Sequence, residues 1–314
     1  MDAPHGPIPL LVILGPTASG KTRLAVALSQ TILQQRQRGC EIISADSRQV
    51  FRGMDIGTGK DLAEYGDLPY HLIDLCDPGV EFSVYAFQQQ CYQAMTAIHA
   101  RGHLPVLVGG SGLYLDAIVR GYALLPAAIN PALRQTMAEW TEERLEAHLR
   151  HLRPQLHNRT DLVSRERLLR AIEIAEQEAN SPASLPAPPL NLLIFGIRWP
   201  RAVLRQRITH RLQQRLESGL LAEVEGLLAG GLSSRQLAAY GLEYRFSCEY
   251  LAGQWSRDEF FQGLNRAIHQ FAKRQDTWFR RMERQGVAIR WLDAEADPLA
   301  EAEQILLARG FPEE

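Results

Sequence analysis

Short apolar runs alternate with a segment of helical periodicity at the start of the chain. Residues 10–14, 41–45 and 104–108 form mainly apolar runs of strand length, and residues 22–35 carry apolar side chains at helical spacing. Strands that are apolar on both faces are typical of parallel sheets covered by helices on each side. The pattern therefore predicts an α/β fold with a parallel sheet.

The hydrophobic pattern changes between residues 126 and 189. Residues 133–152 and 168–174 have apolar side chains at the spacing of amphipathic helices. The Pro-rich segment 181–189 sustains neither a helix nor a sheet ladder, so it is interpreted as a linker, and the strand-like run 192–197 returns to the sheet. We therefore predict a small helical subdomain that is inserted into the α/β core.

The remaining part of the chain predicts mainly helices. Three segments have helical periodicity: residues 201–228, 235–251 and 257–284. Residues 287–292 predict a late strand before a closing helix. The predicted organisation has three parts: a first core segment at 1–125, the inserted subdomain at 126–189 and a second core segment at 190–314.

Composition limits the class of protein. The 314 residues are 46% hydrophobic with a formal net charge of -2, so a nucleic-acid partner must be bound by a local basic surface rather than by bulk charge. The four cysteines form no CxxC pair, which indicates reduced thiols rather than a zinc site or disulfides. The N-terminal apolar run is too short to span a membrane, and no coiled-coil pattern is present. We expect a cytoplasmic monomer.

The strongest chemical motif follows the first predicted strand. Its sequence GPTASGKT matches GxxxxGK followed by Thr, between a strand and a helix. In such a loop, backbone amides and the helix N-terminus bind phosphate oxygens, Lys21 adds a cation and Thr22 is a magnesium ligand. A chance Gly-rich loop is the alternative, and the strand-to-helix context argues against it. We predict that eight residues bind a polyphosphate: Gly15, Pro16, Thr17, Ala18, Ser19, Gly20, Lys21 and Thr22.

Two polar residues follow the next two predicted strands. Asp46 comes directly after the run at 41–45, and Ser111 lies in the GGSG turn after 104–108. Because ligands of open α/β sheets bind at the carboxyl ends of strands, Asp46 is a candidate general base and Ser111 a candidate hydroxyl group of the same site. Taken alone, each also fits an ordinary turn or helix cap. The chain has no NKxD motif, and apart from the strand before Asp46 no apolar strand ends in an aspartate that would bind magnesium. The sequence therefore argues against ordinary nucleotide hydrolysis.

Four segments together resemble one family. They are GPTASGKT at 15–22, SADSRQVFRGMDIGTGK at 44–60, LVGGSGLYL at 107–115 and AKRQDTWFR at 272–280. In this order the chain resembles the bacterial tRNA dimethylallyltransferases across nearly its whole length. The resemblance implies a P-loop NTPase-like parallel sheet flanked by helices, whose loop binds dimethylallyl diphosphate rather than ATP. The implied acceptor is the exocyclic N6 amine of adenosine 37 in the anticodon stem-loop of tRNA.

The resemblance also implies roles for single residues. Asp46 would remove a proton from the weakly nucleophilic amine, and the loop, Mg²⁺ on Thr22 and an arginine would stabilise the charge on the departing diphosphate. Arg211 is the preferred arginine, and Arg207, one helical turn earlier, is the second choice. Ser111 stands where the family commonly carries Thr, and its hydroxyl would hydrogen-bond the bridging oxygen or a phosphate.

A basic surface for tRNA is predicted on two helical segments. Arginines recur between residues 198 and 215, and basic residues are interleaved with aromatic ones at 273–281. Such side chains bind phosphates and flipped bases, whereas a solvated helix face is the alternative interpretation. The match of AKRQ to the family favours contact with tRNA. We predict this contact for six residues: Ser47, Gln49, Arg207, Lys273, Arg274 and Gln275. The inserted helices are expected to grip the anticodon stem-loop, and spacing does not decide whether Gln275, Gln49 or Asn158 reads a base edge.

Other functions stay open at this point. Prenylation of a free adenine nucleotide needs the phosphate loop and Asp46 but no RNA-binding subdomain. A small-molecule kinase would consume ATP. A non-catalytic RNA-binding protein would not need intact Lys21, Thr22 and Asp46. The sequence departs from the family at residues 157–161, which read HNRTD instead of HPND, and at 240–245, which read YGLEYR instead of a GYRQ-like turn. Both departures lie where RNA contacts are expected.

Overall fold

The computed structural model describes residues 6–126, 129–154, 162, 164–180 and 187–311. Residues 157–161, including Asn158, and residues 181–186 of the predicted linker lie outside this part of the chain. By its internal packing the chain divides into two compact units. Unit 1 comprises Met1–Gly121 and Pro188–Glu314, and unit 2 comprises Tyr122–Ala187.

Unit 1 is built on a six-stranded sheet in the order β3-β2-β4-β1-β5-β6. Every neighbouring pair of strands is parallel, which confirms the predicted α/β class. The strands are β1 Ile8–Leu14, β2 Cys40–Ala45, β3 Tyr70–His71, β4 Leu104–Gly109, β5 Leu190–Arg198 and β6 Arg290–Asp293. The two-residue strand β3 is too short to have a periodic signature in the sequence.

Helices cover the sheet and extend beyond it. In unit 1 they are α1 Lys21–Arg36, α2 Val84–Ala100, α3 Gly112–Val119, α7 Arg201–Glu217, α8 Leu220–Ala229, α9 Ser234–Ala239, α10 Leu242–Leu251, α11 Arg257–Arg284 and α12 Pro298–Arg309, with a 3-10 turn at Leu62–Tyr65. The predicted helix 257–284 is confirmed as α11. No helix in the described part of the chain combines the length and the apolar character that crossing a membrane requires.

Two predicted helices are each interrupted by a glycine. The segment 201–228 divides into α7 and α8 at Gly219, whose φ is 102°, and the segment 235–251 divides into α9 and α10 at Gly241, whose φ is 149°. These backbone conformations favour glycine and end a right-handed helix. The apolar spacing continues on both sides of each break, which is why periodicity alone predicted single helices.

The central strand β1 shows why its sequence is apolar at every position. Leu11 and Ile13 pack in one buried cluster with side chains of α1 and α12, whereas Leu10, Val12 and Leu14 pack in a second cluster with side chains of α2, α3 and α11. All seven residues of the strand are buried. Both faces of the sheet are therefore covered, as parallel sheets require.

Unit 2 contains three helices, α4 Pro131–Thr136, α5 Glu142–Leu152 and α6 Arg165–Asn180. The predicted single helix 133–152 is therefore wrong, because it is broken between α4 and α5. Thr141 begins α5 as a cap, since its side chain accepts a hydrogen bond from the amide of Arg144. Leu145, Leu149 and Ile172 lie at the centre of a separate apolar core.

Candidate active site

The carboxyl ends of three adjacent strands meet at one edge of the sheet. Gly109 at the end of β4 pairs with Leu14 at the end of β1 and with Ala45 at the end of β2. The loops that begin at Gly15, Asp46 and Gly110 therefore start side by side. The structure thus brings the three predicted motifs together at the edge where open α/β sheets bind ligands.

The loops after β2 and β4 are joined by hydrogen bonds. The amide of Ser47 donates to Ser111 Oγ at 3.0 Å, and Ser111 Oγ donates to Ser47 Oγ at 3.3 Å. Asp46 Oδ1 accepts a hydrogen bond from the amide of Arg48 at 2.9 Å, so Asp46 forms an Asx turn, the ordinary turn that its place in the sequence also fits. The turn uses one carboxylate oxygen and so is compatible with a chemical role for the other.

The loop between β1 and α1 is held in a curled shape. Ala18 and Gly20 have φ values of 61° and 87°, and the amide of Ser19 donates to the Pro16 carbonyl at 3.3 Å. Two side chains donate hydrogen bonds to carbonyls of this loop. Arg207 Nε, on α7, donates to the Ala18 carbonyl, and Trp199 Nε1, just before α7, donates to the Ser19 carbonyl, both at 2.9 Å. The side chains thus satisfy loop carbonyls, whereas the first-turn amides of α1 have no intrahelical acceptor.

A buried hydroxyl lies inside this loop. Ser19 is 2% exposed, and its Oγ has no hydrogen-bond partner among the described residues. A Cβ added to Gly15 would lie 2.6 Å from that oxygen, so only glycine leaves room for it. Buried polar atoms are nearly always hydrogen-bonded in native proteins. The orphan hydroxyl therefore fits a site whose polar ligand provides the missing partner.

Lys21 is the half-buried cation of the site. Burial, followed by repulsion from Arg211, lowers its pKa to about 8, although Asp46 opposes this shift and Arg215 adds to it. The effect of Asp46 on the pKa of Lys21 reflects the proximity of their charges. At neutral pH Lys21 is therefore mainly cationic, and a polyanion would relieve its unfavourable environment.

Three arginines lie along one face of α7. Arg207, Arg211 and Arg215 recur every four residues, which places them on one side of the helix. Arg207 contacts the phosphate loop, as described above, and also lies 4.3 Å from the Trp199 ring centroid. Arg211 forms an ion pair with Asp61. The predicted diphosphate arginine, Arg211, thus lies one helical turn after the arginine that contacts the loop, and its guanidinium is paired with a carboxylate.

The segment before Asp61 is held by a carboxylate that the sequence did not reveal as functional. Glu223 on α8 accepts hydrogen bonds from the amides of Asp55, Ile56 and Gly57 at 2.8, 2.7 and 3.0 Å. Tyr244 donates its hydroxyl to the same carboxylate at 2.8 Å. Glu223 belongs to no motif with a known spacing, so only its tertiary contacts identify it. Tyr244 lies in the segment 240–245, where the sequence departs from the family's GYRQ-like turn, and that departure was the available signal.

The next residues of this segment are also held by buried charge. Lys60 is 1% exposed and donates to the Phe51 carbonyl at 2.8 Å and to Asp55 at 2.5 Å, and it also pairs with Asp74. Buried lysines are rare unless they are paired. Lys60 thus fixes the position of the segment that ends at Asp61, and its place in the GTGK motif was the available signal.

The predicted tRNA-binding residues have two kinds of environment. Gln49 accepts from Ser44 Oγ at 2.7 Å and donates to the Gly59 carbonyl at 2.9 Å. Gln275 is buried, accepts from the amide of Thr17 at 2.9 Å and donates to the Gly110 carbonyl at 2.8 Å. Their amides thus bond within the protein.

By contrast, Lys273 and Arg274 are exposed on α11. Arg274 lies 5.9 Å from the ring centroid of Phe271, which is itself 40% exposed. These two cations are therefore accessible to a ligand in solution. Contact with tRNA stays a prediction for all six residues.

Comparison with known proteins identifies the family. The family model described as IPP transferase matches residues 49–282. The chain is 60% identical over 291 residues to tRNA dimethylallyltransferase 2 of Syntrophotalea carbinolica, covering 92% of this chain and 96% of that protein. It is 56% identical over 303 residues to tRNA dimethylallyltransferase 1 of Geotalea uraniireducens, covering 96% and 98%.

Solved structures agree with this result. The full-length tRNA isopentenylpyrophosphate transferase of Bacillus halodurans is similar with a TM-score of 0.70 and 32% identity, covering 96% of both chains. A eukaryotic dimethylallyltransferase acting on tRNA shares the fold with a TM-score of 0.77 at 22% identity, covering 96% of this chain and 79% of that one. The chain therefore belongs to the IPP transferase family, and the relatives named here are transferases that modify tRNA.

Proposed function

We propose that this protein transfers a dimethylallyl group from dimethylallyl diphosphate to the N6 amine of adenosine 37 in the anticodon loop of tRNA. The products are N6-isopentenyladenosine and diphosphate. The observation that carries the proposal is the convergence of a phosphate loop, a half-buried lysine with a lowered pKa and a carboxylate at one sheet edge. The names of the related proteins support the same reaction class.

The donor half of the reaction needs positive charge. When the bond between the allylic carbon and the bridging oxygen breaks, its electron pair leaves with the diphosphate. Lys21, the amides at the start of α1 and Arg211 would stabilise that charge, because fixed cations and dipoles in a water-poor site act most strongly where charge develops. Arg207 would support this role indirectly through its hydrogen bond to the Ala18 carbonyl.

Magnesium fits the donor set of the phosphate loop. Thr22 is half-buried in the first turn of α1, and no cluster of three or more His, Cys, Asp or Glu residues suited to a metal occurs in the described ranges. Mg²⁺ commonly needs few protein ligands, because substrate phosphates and water complete its shell. Thr22 would hold the ion, which when bound neutralises charge on the diphosphate.

The acceptor half of the reaction needs a base. The lone pair of the adenine N6 amine is conjugated with the ring, so the amine becomes a good nucleophile only as its proton is removed. Asp46 would take this proton while the new bond between nitrogen and the allylic carbon forms. The hydrogen bond from the amide of Arg48 orients the carboxylate, and the contact of Ser47 with Ser111 supports the same loop.

For tRNA we propose a surface that includes exposed cations of α11. Lys273 and Arg274 would bind backbone phosphates, and Ser47 and Gln49 lie on the loop that carries Asp46. The helices of unit 2 would bind the anticodon stem-loop, and the acceptor base would be turned out of its stack toward the site. We propose that a monomer carries out the reaction.

The first test is a transfer assay with labelled donor. The protein is incubated with Mg²⁺, radiolabelled dimethylallyl diphosphate and either unmodified tRNA or AMP. Label in tRNA alone is the expected outcome. Label in AMP would favour a free-nucleotide prenyltransferase, and consumption of ATP without transfer would favour a kinase. No label in either acceptor, with folded protein, would contradict the proposal.

The second test concerns the base. Asp46→Asn keeps Oδ1, which accepts from the amide of Arg48, and removes only the basicity of the group. We expect transfer to fall at least about 100-fold with an unchanged Kd for tRNA. Asp67→Asn, at an exposed position, is the matched control and should keep full activity. Substantial transfer by Asp46→Asn would eliminate Asp46 as the base.

A further inference from the structure

One buried side chain of α11 joins two loops of the active site. Gln275 Oε1 accepts a hydrogen bond from the amide of Thr17 in the phosphate loop at 2.9 Å. Its Nε2 donates to the carbonyl of Gly110, beside Ser111, at 2.8 Å. The two partners are 258 and 165 residues away along the chain, and Gln275 is only 8% exposed.

The backbone at Gly110 is adapted to this contact. A Cβ added at Gly110 would lie 2.5 Å from Gln275 Nε2, closer than real Cβ atoms approach other groups. Gly110 does not need glycine for its backbone conformation, since its φ is not positive. The absence of a side chain at Gly110 is therefore explained by the close approach of the Gln275 amide.

We infer that Gln275 is a positioning residue that holds the phosphate loop against the Ser111 loop, rather than a residue that reads a base of tRNA. This inference rests on the proposed function. A base reader needs an amide that is accessible to RNA, whereas the amide of Gln275 is buried and both its oxygen and its nitrogen are bonded. Lys273, two residues earlier, is exposed and differs from Gln275 in this respect.

The physical role of the contact follows from how the phosphate loop is otherwise held. Arg207 and Trp199 bind its carbonyls at Ala18 and Ser19. Gln275 binds an amide, at Thr17, from a different helix. Without Gln275 the loop would lose this support and a partly buried amide would lose its acceptor, which is unfavourable. The loss should therefore appear in diphosphate binding and not in tRNA binding.

Gln275→Met tests the inference, because Met keeps the approximate volume and removes both hydrogen bonds. Gln262→Met, at an exposed position of the same helix, is the control. The Kd for inorganic diphosphate with Mg²⁺ is measured by calorimetry, the KM for dimethylallyl diphosphate by transfer, and the Kd for tRNA by filter binding. We expect the Kd and KM for diphosphates to rise about tenfold in Gln275→Met alone, with the Kd for tRNA unchanged.

Two results would overturn the inference: an increased Kd for tRNA with unchanged diphosphate binding, or no change in any constant. A wild-type protein that binds diphosphate but transfers no prenyl group would contradict the proposed function instead. The diphosphate titration would still test Gln275 in that case, because it needs no turnover. The two failures are therefore distinguishable.

Gly110→Ala tests the same contact with Gln275 intact, should Gln275→Met fold poorly. The new methyl group would displace the Gln275 amide, and we expect a similar rise in the Kd for diphosphate. Combining Gly110→Ala with Gln275→Ala removes the amide that the new methyl group would meet. The atom nearest to the added Cβ is then the Gly15 carbonyl oxygen at 3.2 Å, a tight contact that small shifts relieve. The double variant should therefore be no worse than Gln275→Ala alone. Additive losses would overturn the inference.

Discussion

Arg211 forms an ion pair with Asp61, the residue that directly follows the buried Lys60. Their side chains are 27% and 42% exposed, so water also reaches the pair. Arg211 is the arginine that we propose for the departing diphosphate. A carboxylate and a diphosphate would compete for the same guanidinium, so binding of the donor would exchange one anion for the other.

Asp61→Asn should therefore strengthen diphosphate binding. Partly exposed ion pairs contribute up to about 1 kcal/mol, so release of Arg211 should lower the Kd for inorganic diphosphate by roughly two- to fivefold. Calorimetric titration of the variant measures this change. Asp77→Asn, which removes another surface ion pair, with Arg52 at 3.1 Å, is the control and should not change the Kd. Weaker binding by Asp61→Asn would show that Asp61 positions Arg211 instead of competing for it.

Donor binding should weaken at alkaline pH. Burial and the neighbouring Arg211 lower the pKa of Lys21 to about 8, so the free site loses this charge above pH 8. If bound diphosphate keeps Lys21 protonated, the Kd should rise roughly eightfold between pH 7.5 and 9. Because diphosphate itself also ionises in this pH range, the Kd of the wild type is divided by the Kd of Lys21→Met at each pH. The effect of ligand ionisation is common to both proteins and cancels in this ratio. A ratio independent of pH would contradict this assignment.

Gly59 should tolerate no side chain. Its φ is 63°, and an added Cβ would lie 1.7 Å from Arg215 Nη2 and 2.7 Å from Arg211 Nη2. Gly59→Ala should therefore cost about 2–3 kcal/mol in the free energy of unfolding and raise the donor KM, because both arginines must move. Gly53 has a φ of 69° with open space around its Cα. Gly53→Ala thus carries the backbone strain alone, about 1 kcal/mol, with an unchanged KM.

Urea unfolding of the two glycine variants measures the loss of stability, and transfer kinetics measure the donor KM. Comparison of the two variants separates the backbone strain, which both share, from displacement of the arginines, which only Gly59→Ala causes. Equal effects of both substitutions on the donor KM would contradict a specific role for the contacts of Gly59.

Glu41, on β2, should contribute stability that disappears in acid. Its buried carboxylate would have a raised pKa from burial alone, but hydrogen bonds from Arg101, His71 and His103 outweigh that effect and lower the pKa to about 2. A lowered folded-state pKa stabilises the protein above the unfolded value of about 4.3 and less as the pH falls toward 2.

We expect Glu41→Gln to lower the free energy of unfolding by about 3 kcal/mol at pH 7, with the difference from wild type shrinking below about pH 4. Urea titrations of wild type and variant at pH 7 and below about pH 4 measure this difference in the free energy of unfolding. Glu225→Gln, at an exposed position of α8, should change stability by less than about 0.5 kcal/mol. A Glu41→Gln deficit that is independent of pH would indicate a packing effect rather than a charge effect.

The lengths of the helices show which features hydrophobic periodicity predicts and which it misses. Helix α11 was predicted with its full length because its buried positions recur at helical spacing from Phe260 to Met282. Helices α7 and α8 were merged because apolar spacing continues across Gly219, although that glycine was a visible stop signal. Helix α2 was not predicted, yet Phe87, Cys91 and Met95 recur at helical spacing on its buried face. The sequence therefore does carry a helical signal over this segment.

By itself the sequence determined the α/β class and the family, and it predicted the phosphate loop. These features are local: an apolar strand, a glycine-rich turn and a helix start are each recorded in a few consecutive residues, such as those at 15–22. Only the tertiary structure decided which side chains meet there. The pairing of Arg211 with Asp61 and the double contact of Gln275 join residues 150 or more positions apart. No periodicity records such contacts, because they depend on how strands, loops and helices pack in three dimensions.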